Sequence, residues 1–182
     1  YKTTFNGLFE RNACFDDKHP FDLPKRWKEH RWRRVLLVSS GSEANELALR
    51  LARAHTKRRD LIVLDHAYHG NTTTMIDISP YKHDGPGGGG APSWVHKVPL
   101  PDGYRGLYRS VDPLAAEKYA QHVRDVIARL RERGVGLAGF IAESWPSVAG
   151  QIVFPSGYLE KVYEAVRDAG GGEPRQVRRG ER

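Results

Sequence analysis

Val35-Leu36-Leu37-Val38-Ser39-Ser40-Gly41-Ser42-Glu43-Ala44-Asn45-Glu46 is the stretch whose reading decides the fold. The continuous apolar run at 35–38 predicts a strand buried on both faces of a sheet. Small residues then turn the chain, and Ser40-x-x-Glu43 is a capping-box pattern that opens a helix. Ala44, Leu47, Ala48, Leu51 and Ala52 recur at helical spacing, which predicts an inward face, with Glu46, Arg50, Arg53 and Lys57 facing out. A strand running through such a turn into a helix gathers free backbone N–H groups and the positive end of the helix dipole at one point, where a phosphate can sit.

Working outward, residues 61–64 read as a second strand. Strand–helix–strand with short connections predicts a right-handed parallel crossover. Residues 79–113 read as loop, beginning Ser79-Pro80-Tyr81-Lys82 and including Gly85-Pro86-Gly87-Gly88-Gly89-Gly90-Ala91-Pro92. That glycine run lacks a following helix with Lys-Ser/Thr, so it reads as a surface loop and not a phosphate loop. A short strand is expected at 94–98. A helix is expected over 114–133, with Ala116, Tyr119, Ala120, Val123, Ile127 and Leu130 inward and Gly134 as its stop. Residues 137–142 predict a further buried strand. Residues 157–169 predict a helix with Leu159, Val162, Tyr163 and Val166 inward, closed by Gly170. The fold class is therefore α/β with a mostly parallel sheet.

The 182 residues fit one domain, and one cysteine, Cys14, excludes an internal disulfide framework and fits a reducing compartment. It reads as a spectator thiol. No apolar run long enough to cross a bilayer occurs, and no signal-type pattern opens the chain. A cytoplasmic location is the expectation. The formal net charge of +7 suggests nucleic acid until its distribution is read: residues 1–34 carry nine Lys/Arg against five Asp/Glu, and residues 173–182 carry four Arg against two Glu. The middle, with 16 basic and 15 acidic residues, is close to neutral. A nucleic-acid partner is not expected. The three segments are read as 1–34, an unassigned basic stretch that is either a solvated helix or disordered; 35–172, the structured part; and 173–182, a basic tail without periodicity.

Three strand ends carry the chemistry. Gly41 lets the backbone approach a ligand closely, and Ser42 offers an N–H and a hydroxyl to a phosphate oxygen. Asp65-His66-Ala67-Tyr68-His69-Gly70 follows the strand at 61–64. Ligands of open parallel sheets bind beyond the carboxyl ends of strands, which places Tyr68 to lay its ring on a planar ligand and His69 to bond the ligand or a neighbour. His66 and His69 lack a third metal ligand at a suitable spacing, so no metal is expected. Glu143 ends the strand at 137–142, on the same rim. Taken singly, each has a plain structural reading: a capped turn, a buried loop tyrosine, a solvated acid. Jointly they suggest a pocket for a phosphorylated aromatic cofactor.

These residues also carry a resemblance. Ser39-Ser40-Gly41-Ser42-Glu43-Ala44-Asn45, Asp65-His66-Ala67-Tyr68-His69-Gly70-Asn71-Thr72 and Phe140-Ile141-Ala142-Glu143-Ser144 together resemble the class III aminotransferases, pyridoxal-phosphate enzymes of fold type I. Asp77-Ile78-Ser79-Pro80-Tyr81-Lys82 and Trp94-Val95-His96 resemble the branch holding alanine–glyoxylate aminotransferase 2-like proteins and ethanolamine-phosphate phospho-lyase. The resemblance spans about 35–172 and implies part of the large, cofactor-binding domain. It implies pyridoxal 5'-phosphate as cofactor, with Gly41 and Ser42 on its phosphate, Tyr68 stacked on its ring, His69 beside it and Glu143 on the substrate side. It implies amino-group transfer from an amine or amino acid to an oxo-acid, by Schiff-base exchange and proton movement at the substrate α-carbon, in a homodimer. In the phospho-lyase branch phosphate is eliminated from a phosphorylated amino alcohol instead.

The resemblance also implies an Asp that pairs with the pyridine nitrogen and a Lys that forms the Schiff base. Where the Asp motif is due, Gly172-Glu173-Pro174-Arg175-Gln176 stands, no Lys follows Lys161, and Trp145-Pro146 departs from the usual residues after Glu143. The expectation is a truncated piece, not competent alone, whose basic ends come from shifted reading frames. A non-functional gene fragment is the competing account.

Overall fold

The structure, a computed structural model, describes Leu36 and residues 38–170. The expectations for 1–34 and 173–182 lie outside the described residues. Elements follow in the order α1 (Gly41–Thr56), β1 (Asp60–Leu64), α2 (Thr73–Asp77), α3 (Pro80–His83), β2 (Val95–Val98), α4 (Ala115–Glu132), β3 (Leu137–Ile141) and α5 (Tyr158–Asp168). The three strands form one parallel sheet in the order β2-β1-β3.

Helices cover both faces of this sheet, which is why its strands read as unbroken apolar runs and not as alternations. Side chains of β1 point alternately to the two sides. Ile62 and Leu64 join Val98, Phe140 and the inward faces of α4 and α5 in one core. Leu61 and Val63 join Leu49 of α1, Met75, Ile78, Trp94, Val95 and Ile141 in the other. The α4 face was legible: Ala116, Tyr119, Ala120, Val123 and Leu130 are buried as expected, with Ile127 partly buried against the cluster. Gly134, at φ 68°, closes the helix; its N–H reaches the Arg131 carbonyl while Val135 N–H returns to Leu130. In α5, Val162 and Val166 are fully buried, but Tyr158, not Leu159, is the large side chain that fills the interior.

Three expectations fail. First, of the strand expected at 35–38, Val35 and Leu37 lie outside the described residues, and Leu36 and Val38 are exposed and belong to no strand. β1 is the central strand, paired on both sides by β2 and β3, and neither Leu36 nor Val38 pairs with it. The parallel crossovers are therefore β1 to β2 and β2 to β3, not a crossover entering β1. Second, α1 is rotated relative to its expected face. Leu49 is its one buried residue and Leu51 is 53% exposed. Arg53, expected in solvent, lies over the Trp94 ring at 4.4 Å. Its guanidinium is less basic than usual, chiefly because burial penalises the charge and also because Arg59 is near. Third, residues 80–83 are not loop: Thr72 caps α2 by accepting from Met75 N–H, and Pro80 opens α3 at a position where its missing N–H costs nothing. The glycine run after α3 is exposed and irregular, as expected.

Candidate active site

The turn before α1 is built as its sequence requires. Ser40 Oγ accepts from Glu43 N–H at 3.2 Å, and Glu43 Oε2 accepts from Ser39 N–H at 2.7 Å. These bonds use the N–H groups on either side of Gly41 and Ser42. The N–H groups of Gly41 and Ser42 themselves lie in the first helical turn, where no carbonyl of the helix can reach them.

Residues 67–72 cross in front of this turn, and all but Gly70 are tied down by hydrogen bonds. Ala67 C=O accepts from Tyr81 N–H at 3.2 Å. Tyr68 N–H donates to Glu143 Oε1 at 3.0 Å. His69 N–H donates to Ser79 Oγ at 2.8 Å, and His69 C=O accepts from Asn45 Nδ2 at 2.8 Å. Asn71 N–H donates to Ser42 Oγ at 3.1 Å, and Thr72 Oγ1 donates to Glu46 Oε2 at 2.6 Å. Gly70 has no backbone bond of this kind because it is the point of closest approach: a Cβ there, at φ 141°, would meet Ser42 Oγ at 2.6 Å and Ser42 Cα at 2.9 Å.

Ser42, Tyr68, His69 and Glu143, chosen from the sequence, are each bonded within this frame, and Gly41, also chosen, opens α1 next to Ser42. Asn45, Glu46, Gly70, Thr72 and Ser79 were missed. A signal for the first two existed: Ser42, Asn45 and Glu46 stand at i, i+3 and i+4, one face of a helix.

The side chains above this frame are of distinct kinds. The half-buried Tyr68 ring meets Tyr81 edge-on at 6.1 Å, with Lys82 Nζ 5.9 Å from its centroid. His69 is buried, and burial lowers its pKa to about 4, so it is neutral at pH 7. Its Nε2 is buried with no hydrogen-bond partner. Glu143 Oε2 accepts from Ser147 N–H at 3.1 Å, so the carboxylate bridges the loops that leave β1 and β3. Beside the rim, Lys97 binds Asp84 and lies 3.5 Å from Asp65. The bond to Lys97 holds the Asp84 carboxyl below its usual range and raises Lys97 in return. His66 is exposed and bonded to Asp65, and among the described residues no group of three or more His, Cys, Asp or Glu could hold a metal ion.

Away from this rim, a shallow groove between α4 and α5 is lined by Arg124, Arg131, Lys161, Glu164 and Asp168. Lys161 of α5 binds Glu117 of α4 at 2.8 Å, and Arg124 binds the same carboxylate from within α4 at 2.6 Å. It is a charged seam between two solvated helix faces. Among the described residues no helix is long and apolar enough to cross a membrane.

Comparison with known proteins bears on the same residues. The family description "Aminotransferase class-III" matches residues 23–170. An alanine–glyoxylate aminotransferase 2-like protein of Drosophila melanogaster is 50% identical over 139 residues, covering 74% of this chain and 28% of that protein. A phospholyase from Arthrobacter, solved in complex with phosphoethanolamine, superposes with a TM-score of 0.65 at 38% identity, covering 76% of this chain and 32% of that one. A taurine:2-oxoglutarate aminotransferase from Bifidobacterium kashiwanohense, solved in complex with PLP and glutamate, does so with a TM-score of 0.59 at 25% identity, over 73% and 30% of the two chains. The chain spans about a third or less of the length of these relatives.

Proposed function

We propose, for a chain that belongs to the class III aminotransferase family, that residues 41–72 and Glu143 form the phosphate and ring part of a pyridoxal 5'-phosphate site serving amino-group transfer between an amine or amino acid and an oxo-acid. The observation that carries this reading is the joint between α1 and residues 69–71. It sets a helix N-terminus with two open N–H groups beside a Cβ-free glycine and a buried, unpartnered imidazole nitrogen. An anionic group fits the first and an aromatic ring carrying polar substituents fits the rest. Gly41 and Ser42 N–H hold the phosphate. The Tyr68 ring covers the pyridine ring. Neutral His69 stands beside it as a hydrogen-bonding group that brings no charge, and Glu143 borders the substrate side. When bound, the cofactor supplies an electron sink for the substrate α-carbon.

A second reading has its own observation, the likeness to a phospholyase bound to phosphoethanolamine: loss of phosphate from a phosphorylated amino alcohol at the same site. Free phosphate, as against a new amino acid, among the products of the intact protein separates the two.

We assign none of these residues as the lysine that joins the cofactor covalently in this chemistry. No Lys follows Lys161; Lys97, Lys118 and Lys161 are each bound to carboxylates, and we read Lys82, which lies against the Tyr68 and Tyr81 rings, as part of the wall of the site. We read the 182 residues as holding the cofactor without a covalent bond, and so as not turning over alone. By analogy with the family, the working assembly is a homodimer.

The test is a titration with pyridoxal 5'-phosphate followed by tryptophan and tyrosine fluorescence. Saturable quenching that inorganic phosphate competes away, and that dialysis reverses, is expected. Tyr68→Ala should weaken binding by about tenfold, the order of one aromatic stack. Absence of binding at millimolar cofactor overturns the site. A cofactor absorbance that survives dialysis overturns the non-covalent reading.

A further inference from the structure

We infer that Glu143 is a positioning residue, a latch that sets the height and tilt of the Tyr68 ring and couples it to the turn after β3. This rests on the cofactor reading above and assigns Glu143 a way of acting within it. The two backbone bonds that the Glu143 carboxylate accepts point to a structural task. Here Oε1 accepts Tyr68 N–H at 3.0 Å and Oε2 accepts Ser147 N–H at 3.1 Å, one oxygen to each loop. Bonds from a backbone N–H to a carboxylate are charge-assisted and stronger than neutral ones.

The position of the bond matters as much as its strength. The peptide joining Ala67 to Tyr68 carries the N–H that Glu143 receives and turns with the Cα–Cβ direction of Tyr68. The carbonyl of that same peptide, on Ala67, accepts from Tyr81 N–H, and the next peptide is fixed through His69 N–H to Ser79. Glu143 is the described partner of the Tyr68 N–H, so it and the Tyr81 N–H grip the two polar groups of one peptide and set its tilt. The Ser147 bond carries that constraint across 144–147, where Trp145 is 62% exposed and Pro146 is buried. A displacement of that turn therefore reaches the Tyr68 ring through one side chain.

The experiment compares Glu143→Ala and Glu143→Gln, each in the wild-type and Tyr68→Ala backgrounds of the intact chain. One arm is amide hydrogen exchange without cofactor. The Tyr68 and Ser147 amides should exchange at least about tenfold faster in Glu143→Ala, while amides of β1 are unchanged. Glu143→Gln keeps one acceptor oxygen and should restore protection at one of the two amides. The other arm is pyridoxal 5'-phosphate affinity by fluorescence. Glu143→Ala should weaken it about fivefold with Tyr68 present and less than twofold in Tyr68→Ala, because the effect passes through that ring. Unchanged exchange at Tyr68 overturns the latch. Equal loss of affinity in both backgrounds overturns positioning in favour of direct contact. If the wild-type chain binds no cofactor, the proposed function fails, and the exchange arm still decides whether the latch exists.

Discussion

His69 shows how a single residue can tie the site to stability. Its imidazole titrates at about 4 in the folded chain against 6.5 in the open, because burial disfavours the cation. Between those values the unfolded chain binds a proton that the native chain does not, so stability rises with pH through this window and is complete above 6.5. Falling pH therefore removes up to about 3 kcal/mol through this one group. The prediction is read from urea unfolding at pH 7.5, 5.5 and 4.5 for wild type and His69→Gln. The variant starts less stable, and its loss between pH 7.5 and 4.5 should be smaller by an amount of that order. Parallel pH curves for the two proteins would contradict it. Exposed carboxyls such as Glu117, lowered by its bonds to Lys161 and Arg124, act in the same direction but at lower pH, and they cancel in the comparison.

At the scale of elements, the joint between α1 and residues 69–72 is the unit that matters, and Gly70 is where it is tightest. Gly70→Ala places a methyl 2.6 Å from Ser42 Oγ and 2.9 Å from the Ser42 backbone, at a φ of 141° that side chains rarely adopt. Backbone strain and overpacking each cost about 1–3 kcal/mol, so the urea midpoint should drop by at least about 2 kcal/mol in stability. The α1 contacts to 69–72 should be lost with it, seen as faster exchange at the Asn71 amide. A variant as stable as wild type would show that the two segments are not in contact.

The same joint shows what the sequence could convey. Strands β1 and β3 were legible because a strand covered on both sides is apolar throughout, and α4 because its face repeats over four turns. The face of α1 was misread because Ala44, Leu47, Ala48, Leu51 and Ala52 form the better apolar stripe, whereas the packed side holds Asn45 and Arg53, polar residues used for a carbonyl bond and a Trp94 contact. Periodicity cannot register a polar residue that is buried with a partner. The short helices α2 and α3 were hidden for a related reason: five and four residues are too few for a period, and only the Thr72 cap and Pro80 mark them. Tyr68 and Glu143 were legible as strand-end residues and Ser42 as part of a helix-opening turn, but the bond between Tyr68 and Glu143 spans 75 residues of sequence and that between Ser42 and Asn71 spans 29.

For the molecule as a whole, two tendencies oppose each other. Among the described residues β2 and β3 pair only with β1, which leaves an unpaired edge on each side of the sheet. Leu36, Val38 and Leu51 are 50%, 42% and 53% exposed. Open edges and exposed aliphatic side chains favour association of like chains. Against this stands a formal net charge of +7, which keeps copies apart when it is unscreened. The Debye length falls from about 30 Å at 0.01 M salt to about 3 Å at 1 M, so added salt removes the repulsion and leaves the apolar attraction. Sedimentation of the chain should therefore show a mass that grows with protein concentration, and grows further between 0.02 and 0.5 M sodium chloride, on the order of the screening just given. Leu51→Lys should reduce association at both salt levels, because it removes exposed apolar surface and adds charge without touching either core. A monomer at both salt concentrations, at about 100 μM protein, would mean that the repulsion outweighs the open surface even when screened. Association that salt instead dissolves would mean that charge pairs, and not the apolar surface, join the copies.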